Sequence, residues 1–378
     1  MFHDLKVLEL ASVLAGPSVG QFFAELGATV IKIENPATGG DITRSWKSAG
    51  EETDDRSAYF CSCNWGKKSV LMDLGNPTER HKFYQLVQTA DVVLASYKPG
   101  DAEKLHVDYG TLLKFNPRLI YGQITGYGLS DDRVGYDAVI QAESGFMDMN
   151  GYPQSEPLKL PVALIDVLAA HQLKEALLIA LYNREKSGTG NFISVSLFDA
   201  AIASLANQAT NWLVGGKIPT RQGSLHPNIA PYGEVFITSD DKRILLAVGS
   251  DRQFTDLCLV LGLNDLSNDD RFLKNQGRVE FRKELSVLLQ QSIQKISSSE
   301  LIQQLSLKKI PGGIIQNIKS VFENPMAQKS VIRSGGLSGV RQFPVDFRSQ
   351  MQNITLSPPP KLGADTAEVL SRLDGLVS

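Results

Sequence analysis

Short apolar runs alternate with longer one-sided stretches through the first half of the chain. KVLEL at residues 6–10, TVIKI at 29–33, the segment 70–74, DVVLAS at 91–96 and RLIYGQIT at 118–125 are short and rich in branched residues, so they read as strands. Between the first two, Pro17 suits the opening turn of a helix. The segment to Leu26 is apolar on one side, and Gly27 closes it. Residues 77–89 also look helical. The pattern is a β-α-β unit that opens a doubly wound α/β sheet, in which ligands bind beyond the carboxyl ends of the strands. FISVS at 192–196 alternates as a further strand, and 197–214 reads as one helix.

The stretch LKLPVALIDVLAAHQLKEALLIALYNREKSGTG at 158–190 has a different form. A strand-like apolar run, 161–165, meets a lone carboxylate, Asp166. A long apolar segment, 167–182, follows and ends in a polar tail and Gly188, a helix stop. An aspartate at a helix start has two readings. It is an N-cap, accepting backbone N–H groups of the first turn. Or it is a nucleophile, kept ionised by the helix N-terminus and able to attack an acyl carbon.

Residues 215–229 are loop-rich and mark a candidate boundary. Residues 234–248 then read as a hairpin turning at 239–241, and 252–307 as mainly helical, with Ser298 or Ser299 as an N-cap. Residues 310–315 form a short turn and strand, 343–347 look strand-like, and a proline stretch at 357–360 leads into a last helix at 365–373.

Composition narrows the function classes. With 378 residues, 42% hydrophobic and 21% charged, the chain can bury a large core and form more than one domain. A net charge of -3 favours neither nucleic acid nor an anionic membrane as partner. No apolar run is long enough to span a bilayer, and MFHDLKVLEL lacks the basic start of a signal peptide, so a cytoplasmic location is expected. Three cysteines do not make a disulfide framework. Cys61 and Cys63 have no His or Cys nearby to complete a metal site, so no metal is expected.

Two further features carry candidate chemistry. A small-residue turn, 15–18, with Glu34 at the end of the second strand suggests a dinucleotide site. The turn lacks G-x-G-x-x-G spacing, and Pro17 removes an N–H that a phosphate would want. Lys67, Lys68, Lys98 and Lys104 recur with Tyr97 near strand ends. They suit a phosphorylated ligand whose base stacks on Tyr97, or they are ordinary solvated lysines.

Several blocks resemble one family, the class III coenzyme A transferases, which includes formyl-CoA transferase and carnitine CoA-transferase. They are LELASVLAGPSVGQFFAELGATVIKIENP with GGDITR, NWGKKSVLMDL, ADVVLASYKPG, GYDAVIQAESG, and the Asp166 segment continued through REKSGTGNFISVSLFDA. PPPKLGADTAEVL is similar to the family's ending, and the blocks occur in the family's order. The resemblance implies a large Rossmann-like domain, 1–215 with 325–378, a smaller α+β domain, 216–324, and an interlocked homodimer. It implies that Asp166 is the nucleophile of a covalent aspartyl mechanism. Coenzyme A or acyl-CoA is then a substrate rather than a tightly bound cofactor, with a carboxylic acid as acceptor.

Carried over by motif, the coenzyme A contacts fall on Val13, Leu14, Ala15, Met72, Ser96, Tyr97, Lys98 and Lys104. Arg133 and Tyr136 lie toward the thioester, with Tyr136 and Asp137 nearest the chemistry. Gln222 and Gly223 match an acceptor loop that is richer in glycine in formyl-CoA transferase, so formyl or oxalyl chemistry is not supported. Ser96, Lys98 and Lys104 stand where the family often has Asn, Arg and Arg, and lysine lacks the bidentate fork. The alternative is an acyl-CoA racemase, a relative in the same superfamily. Its base is a histidine where this chain has Tyr136, a poor base at neutral pH.

Overall fold

The computed structural model describes residues 1–345 and 354–374. Strand β1 (Lys6–Leu10) leads into helix α1 (Ala15–Glu25), which returns the chain to β2 (Thr29–Glu34) beside β1. β3 (Lys67–Leu71) adds beyond β2. After α2 (Pro77–Gln88) the chain crosses to the other side of β1 and lays down β4 (Val92–Ala95), then β5 (Ile120–Thr125). Helices α3 (Asp137–Glu143) and α4 (Leu164–Ser187) precede β6 (Asn191–Ser196). The six strands are parallel, in the order β3-β2-β1-β4-β5-β6. The strand order reverses between β1 and β4, and such a switch point leaves a crevice at the carboxyl ends.

Alternate strand residues feed two cores. Val7, Val30, Val92 and Leu94 face one side, where α1, α4 and α5 (Leu197–Ala203) pack. Leu8, Ile31, Val93 and Ala95 face the other, against α2. Strands covered on both faces read as nearly continuous apolar runs, which is why the sequence pattern picks them out.

Some expectations fail. Residues 161–165 make no strand, because α4 already begins at Leu164 and the segment before it finds no ladder partner. The helix expected over 197–214 breaks before Ala206, whose φ of 48° lies in the left-handed region. It resumes as α6 (Asn207–Leu213). β3 starts at Lys67, earlier than 70–74, because its pairing with Val30 starts there.

The chain divides into two compact units. One is Met1–Phe146, Lys159–Ile218 and Gln328–Ser378, and the other is Met147–Leu158 with Pro219–Ala327. Residues 147–158, assigned by sequence to the large domain, group with the second unit. There Arg221 Nη1 bonds the Asp148 carbonyl at 2.8 Å and its carboxylate at 3.0 Å, and Gly223 N–H donates to the Gly151 carbonyl at 2.8 Å.

The second unit is a three-stranded antiparallel sheet. β7 (Tyr232–Ile237) pairs with β8 (Arg243–Ala247), and β9 (Gly312–Ile314) joins β8's other edge. Helices α7 (Asp251–Val260), α8 (Arg282–Ile293) and α9 (Ser298–Leu307) supply core residues Phe254, Leu289 and Leu301. The cap of α9 is Ser297, not Ser298 or Ser299. The Ser298 hydroxyl instead donates to Asp240 at 2.7 Å.

The tail returns to the first unit as a hairpin, β10 (Val331–Ser334) and β11 (Leu337–Val340), and a last helix, α10 (Thr366–Asp374). The strand expected at 343–347 extends outside the described residues. Just before and at the start of α10, side chains cover the free edge of β3. Asp365 Oδ2 accepts Ser69 N–H at 2.8 Å and Thr366 Oγ1 accepts Leu71 N–H at 3.0 Å. No helix among the described residues is long and apolar enough to cross a membrane.

Candidate active site

The loops after β1 and β4, the end of β5 and the start of α4 converge on one cleft in the first unit. It is lined by residues 12–16, 96–99, 124–126, 133–137, Asp166 and Leu197. The cleft lies at the switch point between β1 and β4. The loop from β1 to α1 turns at Val13, whose φ of 72° is unusual for a branched residue. Helix α1 has no side chain capping its first turn, leaving N–H groups suited to an anion.

Asp166 is the third residue of α4 and only 7% exposed. It is not the cap: Ala163 stands at that position, and no side chain of α4's own start bonds the first turn. Asp137 performs that service from α3. Its Oδ1 accepts Ile165 N–H at 2.8 Å and its Oδ2 accepts Gln141 Nε2–H at 2.7 Å. The Gln141 side chain is fully buried, and its Oε1 accepts Leu160 N–H at 2.8 Å. One glutamine and one aspartate thus fix the approach to α4.

Burial and then the neighbouring Asp137 charge push the Asp166 carboxyl up to about 7. The helix start was expected to keep this group ionised; desolvation outweighs it. The result is a carboxylate of raised basicity in a mostly apolar wall, available in both protonation states near neutrality.

The other sequence-predicted residues divide by place. Val13, Leu14, Ala15, Ser96, Tyr97, Lys98, Arg133, Tyr136 and Asp137 line the cleft with Asp166. Ser96 Oγ accepts Ser12 N–H at 3.1 Å, tying the two loops together. The Tyr97 phenol is pushed up to about 12 by burial and then by Asp101, so it is neutral. Arg133 stacks over Tyr127 at 3.8 Å and pairs with Asp131 at 3.0 Å. Tyr136 is 58% exposed.

Met72 is buried in the core on the α2 side of the sheet and is not part of the cleft lining. Lys104 is exposed and paired with Asp101 at 2.9 Å. Gln222 and Gly223 belong to the second unit. Of the remaining lysines, Lys68 pairs with Glu368 at 2.6 Å, and Lys67 is buried against Glu9 at 2.7 Å. Lys67 is therefore a core cation rather than a loop-tip one. Glu34 is engaged too: Arg44 grips both its oxygens at 2.8 and 2.7 Å, which closes it to a ribose.

Two contributors escaped sequence reading. Tyr59, edge-on to Trp46 at 5.2 Å, has its phenol pushed up to about 12 by burial and then by the Asp166 charge. It lies in the polar stretch between β2 and β3, where no motif singles it out. Asp41 Oδ1 accepts Val13 N–H at 3.3 Å. No local pattern links residues 28 positions apart.

The chain matches the family model described as CoA-transferase family III over residues 2–366. It is 38% identical to succinate–glutarate CoA-transferase of Agrobacterium fabrum, over 98% of this chain and 95% of that protein. It is 31% identical to human succinyl-CoA:glutarate CoA-transferase, over 98% of this chain and 85% of that protein. Among solved structures, a CaiB/BaiF family protein from Brucella suis superposes with a TM-score of 0.87 at 39% identity, covering 98% of both chains.

Proposed function

The chain belongs to CoA-transferase family III, which moves coenzyme A between an acyl-CoA and a carboxylic acid, and from that membership we propose a covalent mechanism centred on Asp166. The observation that carries this reading is the placement of a buried, basic Asp166 carboxylate in one cleft with the 12–16 and 96–99 loops.

An Asp166 oxygen attacks the donor acyl carbon. The C–S bond breaks, coenzyme A leaves as thiolate, and a mixed anhydride remains. Thiolate attacks the Asp166 carbonyl, the anhydride C–O bond breaks, and the donor acid departs as carboxylate. An acceptor carboxylate then attacks the aspartyl thioester and releases thiolate. Thiolate attacks the new acyl carbon and frees Asp166. No net proton is consumed.

Backbone groups of Val13, Leu14 and Ala15, with Ser96 and Tyr97, receive coenzyme A, and Lys98 and Lys104 supply charge for its phosphates. Arg133 and Tyr136 flank the thioester end. The relatives' names point to short dicarboxylates such as succinate and glutarate for the acyl group and acceptor. A racemase is the weaker reading, because no histidine lines the cleft among the described residues. The exposed apolar run Trp212, Leu213, Val214 and Ile218 supports a homodimer, which we propose is interlocked.

The test is intact-protein mass after mixing with succinyl-CoA and a hydroxylamine trap. A coenzyme A or acyl adduct mapped to Asp166 is expected. Full transfer activity with no adduct at Asp166, or turnover in Asp166→Ala, would overturn the covalent mechanism.

A further inference from the structure

Beneath the cleft lies a charge cluster that the chemistry does not use. Glu9 on β1, Lys32 on β2, Lys67 on β3 and Asp41 are each at most 4% exposed. Two basic and two acidic side chains are thus enclosed together, and burial holds the Lys67 ammonium below the usual lysine range despite Glu9 beside it. Lys32 Nζ lies 2.9 Å from Glu9 and 2.8 Å from Asp41 Oδ2; the second contact is ionic, outside hydrogen-bond alignment. Lys67 Nζ reaches both Glu9 oxygens, at 3.0 and 2.7 Å. Burial opposes charge on Lys32 and Asp41, but pairing overrides it, raising Lys32 and lowering Asp41, so both stay ionised.

Replacing such a cluster with apolar side chains is often neutral or stabilising. Stability alone is therefore a poor account of the cluster. Lys67 also donates to Asn64 Oδ1 at 2.9 Å, and Asp41 Oδ1 accepts Thr43 N–H at 3.0 Å and its hydroxyl at 2.8 Å, but three further contacts reach the turn from β1 into α1. Lys32 donates to the Ala11 carbonyl at 2.7 Å, Lys67 to the Pro17 carbonyl at 2.8 Å, and Asp41 accepts Val13 N–H at 3.3 Å. Val13, between these anchors, is held at a φ of 72°. A branched residue resists that conformation unless its surroundings impose it.

We infer that Asp41 and Lys32 are positioning residues for coenzyme A binding: the buried pair holds the turn at 11–14 in a shape that Val13 does not adopt unaided, with Val13 N–H drawn inward to Asp41 and the uncapped N–H groups at the start of α1 left for the ligand. This rests on the proposed role of that loop. Neither side chain touches the reacting atoms, so its loss acts on ligand affinity rather than on the chemical step.

The test compares wild type with Asp41→Asn, which keeps the shape and removes the charge. Hydrogen exchange of the peptide spanning 11–17 should quicken about tenfold or more, without ligand present. The KM for succinyl-CoA should rise about tenfold, with kcat at saturation changed by less than about twofold. Adding Val13→Gly to Asp41→Asn should recover most of the lost affinity, since glycine takes a φ of 72° without steric cost.

Unchanged exchange in Asp41→Asn overturns the inference whatever coenzyme A does. Faster exchange with unaltered KM overturns it as well, as does a fall in kcat alone. Wild-type protein that binds no coenzyme A by calorimetry would overturn the proposed function itself. Where Asp41→Asn fails to fold, the pair Val13→Gly and Val13→Ala decides. The glycine variant should melt at or above the alanine one, the reverse of an ordinary loop position, and the ordinary order would overturn the inference.

Discussion

Asp166 shows what one residue's position does and does not reveal. Its place at a helix start is legible in the sequence, from the small and apolar residues that follow. Its burial is not, since the walls come from segments as distant in the chain as Ser12 and Leu197. That burial has two measurable consequences. The folded carboxyl sits at about 7, above its unfolded value of 3.8, so the native state holds the extra proton between those limits. Stability therefore falls as pH rises through that window. Asp166→Asn should abolish transfer. It should also melt like wild type near pH 4 and be more stable at pH 8, by on the order of 2–4 kcal/mol. Equal melting at pH 8 would refute the buried-charge account. In the proposed mechanism only the ionised carboxylate attacks, so kcat/KM should climb with pH to a midpoint near that of Asp166. Asp137→Asn removes a neighbouring negative charge, so the acidic limb should move to lower pH; a limb that stays put would exclude Asp137 as a cause.

At the scale of elements, the parallel strands were readable because both faces are buried and leave unbroken apolar runs. The same signal misled at 161–165, where apolar residues serve a helix entry instead. Periodicity cannot report that Gln141 and Asp137 have taken the backbone groups a strand would have used. Gln141→Ala leaves Leu160 N–H and an Asp137 oxygen without these partners, and should cost about 1–3 kcal/mol. It should also lower kcat more than it raises KM, because the helix that carries the proposed nucleophile loses its anchor; an unaltered kcat would contradict this. Helix α1 meets β1 so closely that a Cβ on Gly20 would stand 1.9 Å from Glu9 Oε2. Glu9 cannot yield without releasing Lys32 and Lys67, so Gly20→Ala should destabilise by about 1–3 kcal/mol, read as a lower melting temperature. A neutral substitution would mean that the cluster is softer than its pairing implies.

For the whole molecule, the switch in strand order decides where the site lies, and the return of the tail decides when the first unit can close. Domain composition was less legible. Residues 147–158 carry turn signals at Asn150-Gly151, Pro153 and Pro157, but these do not say which unit the segment joins; its packing, including the bonds to Arg221 and Gly223, places it with the second. Light scattering should give twice the chain mass, and an interlocked pair should yield no monomer on dilution to nanomolar concentration. Concentration-dependent dissociation would rule out interlocking. The tail has a further effect during synthesis. β3 is the outermost strand, and its free N–H groups at Ser69 and Leu71 are met by residues 296 and 295 positions further on. At ribosomal rates of about 5–20 residues per second, on the order of 15–60 s separates an emerging β3 from the segment that covers it. Through that interval the nascent chain carries an open sheet edge, a template for pairing with a neighbour on the same message. Crowded polysomes and chaperone supply should therefore govern the yield of this enzyme more than the stability of its finished fold.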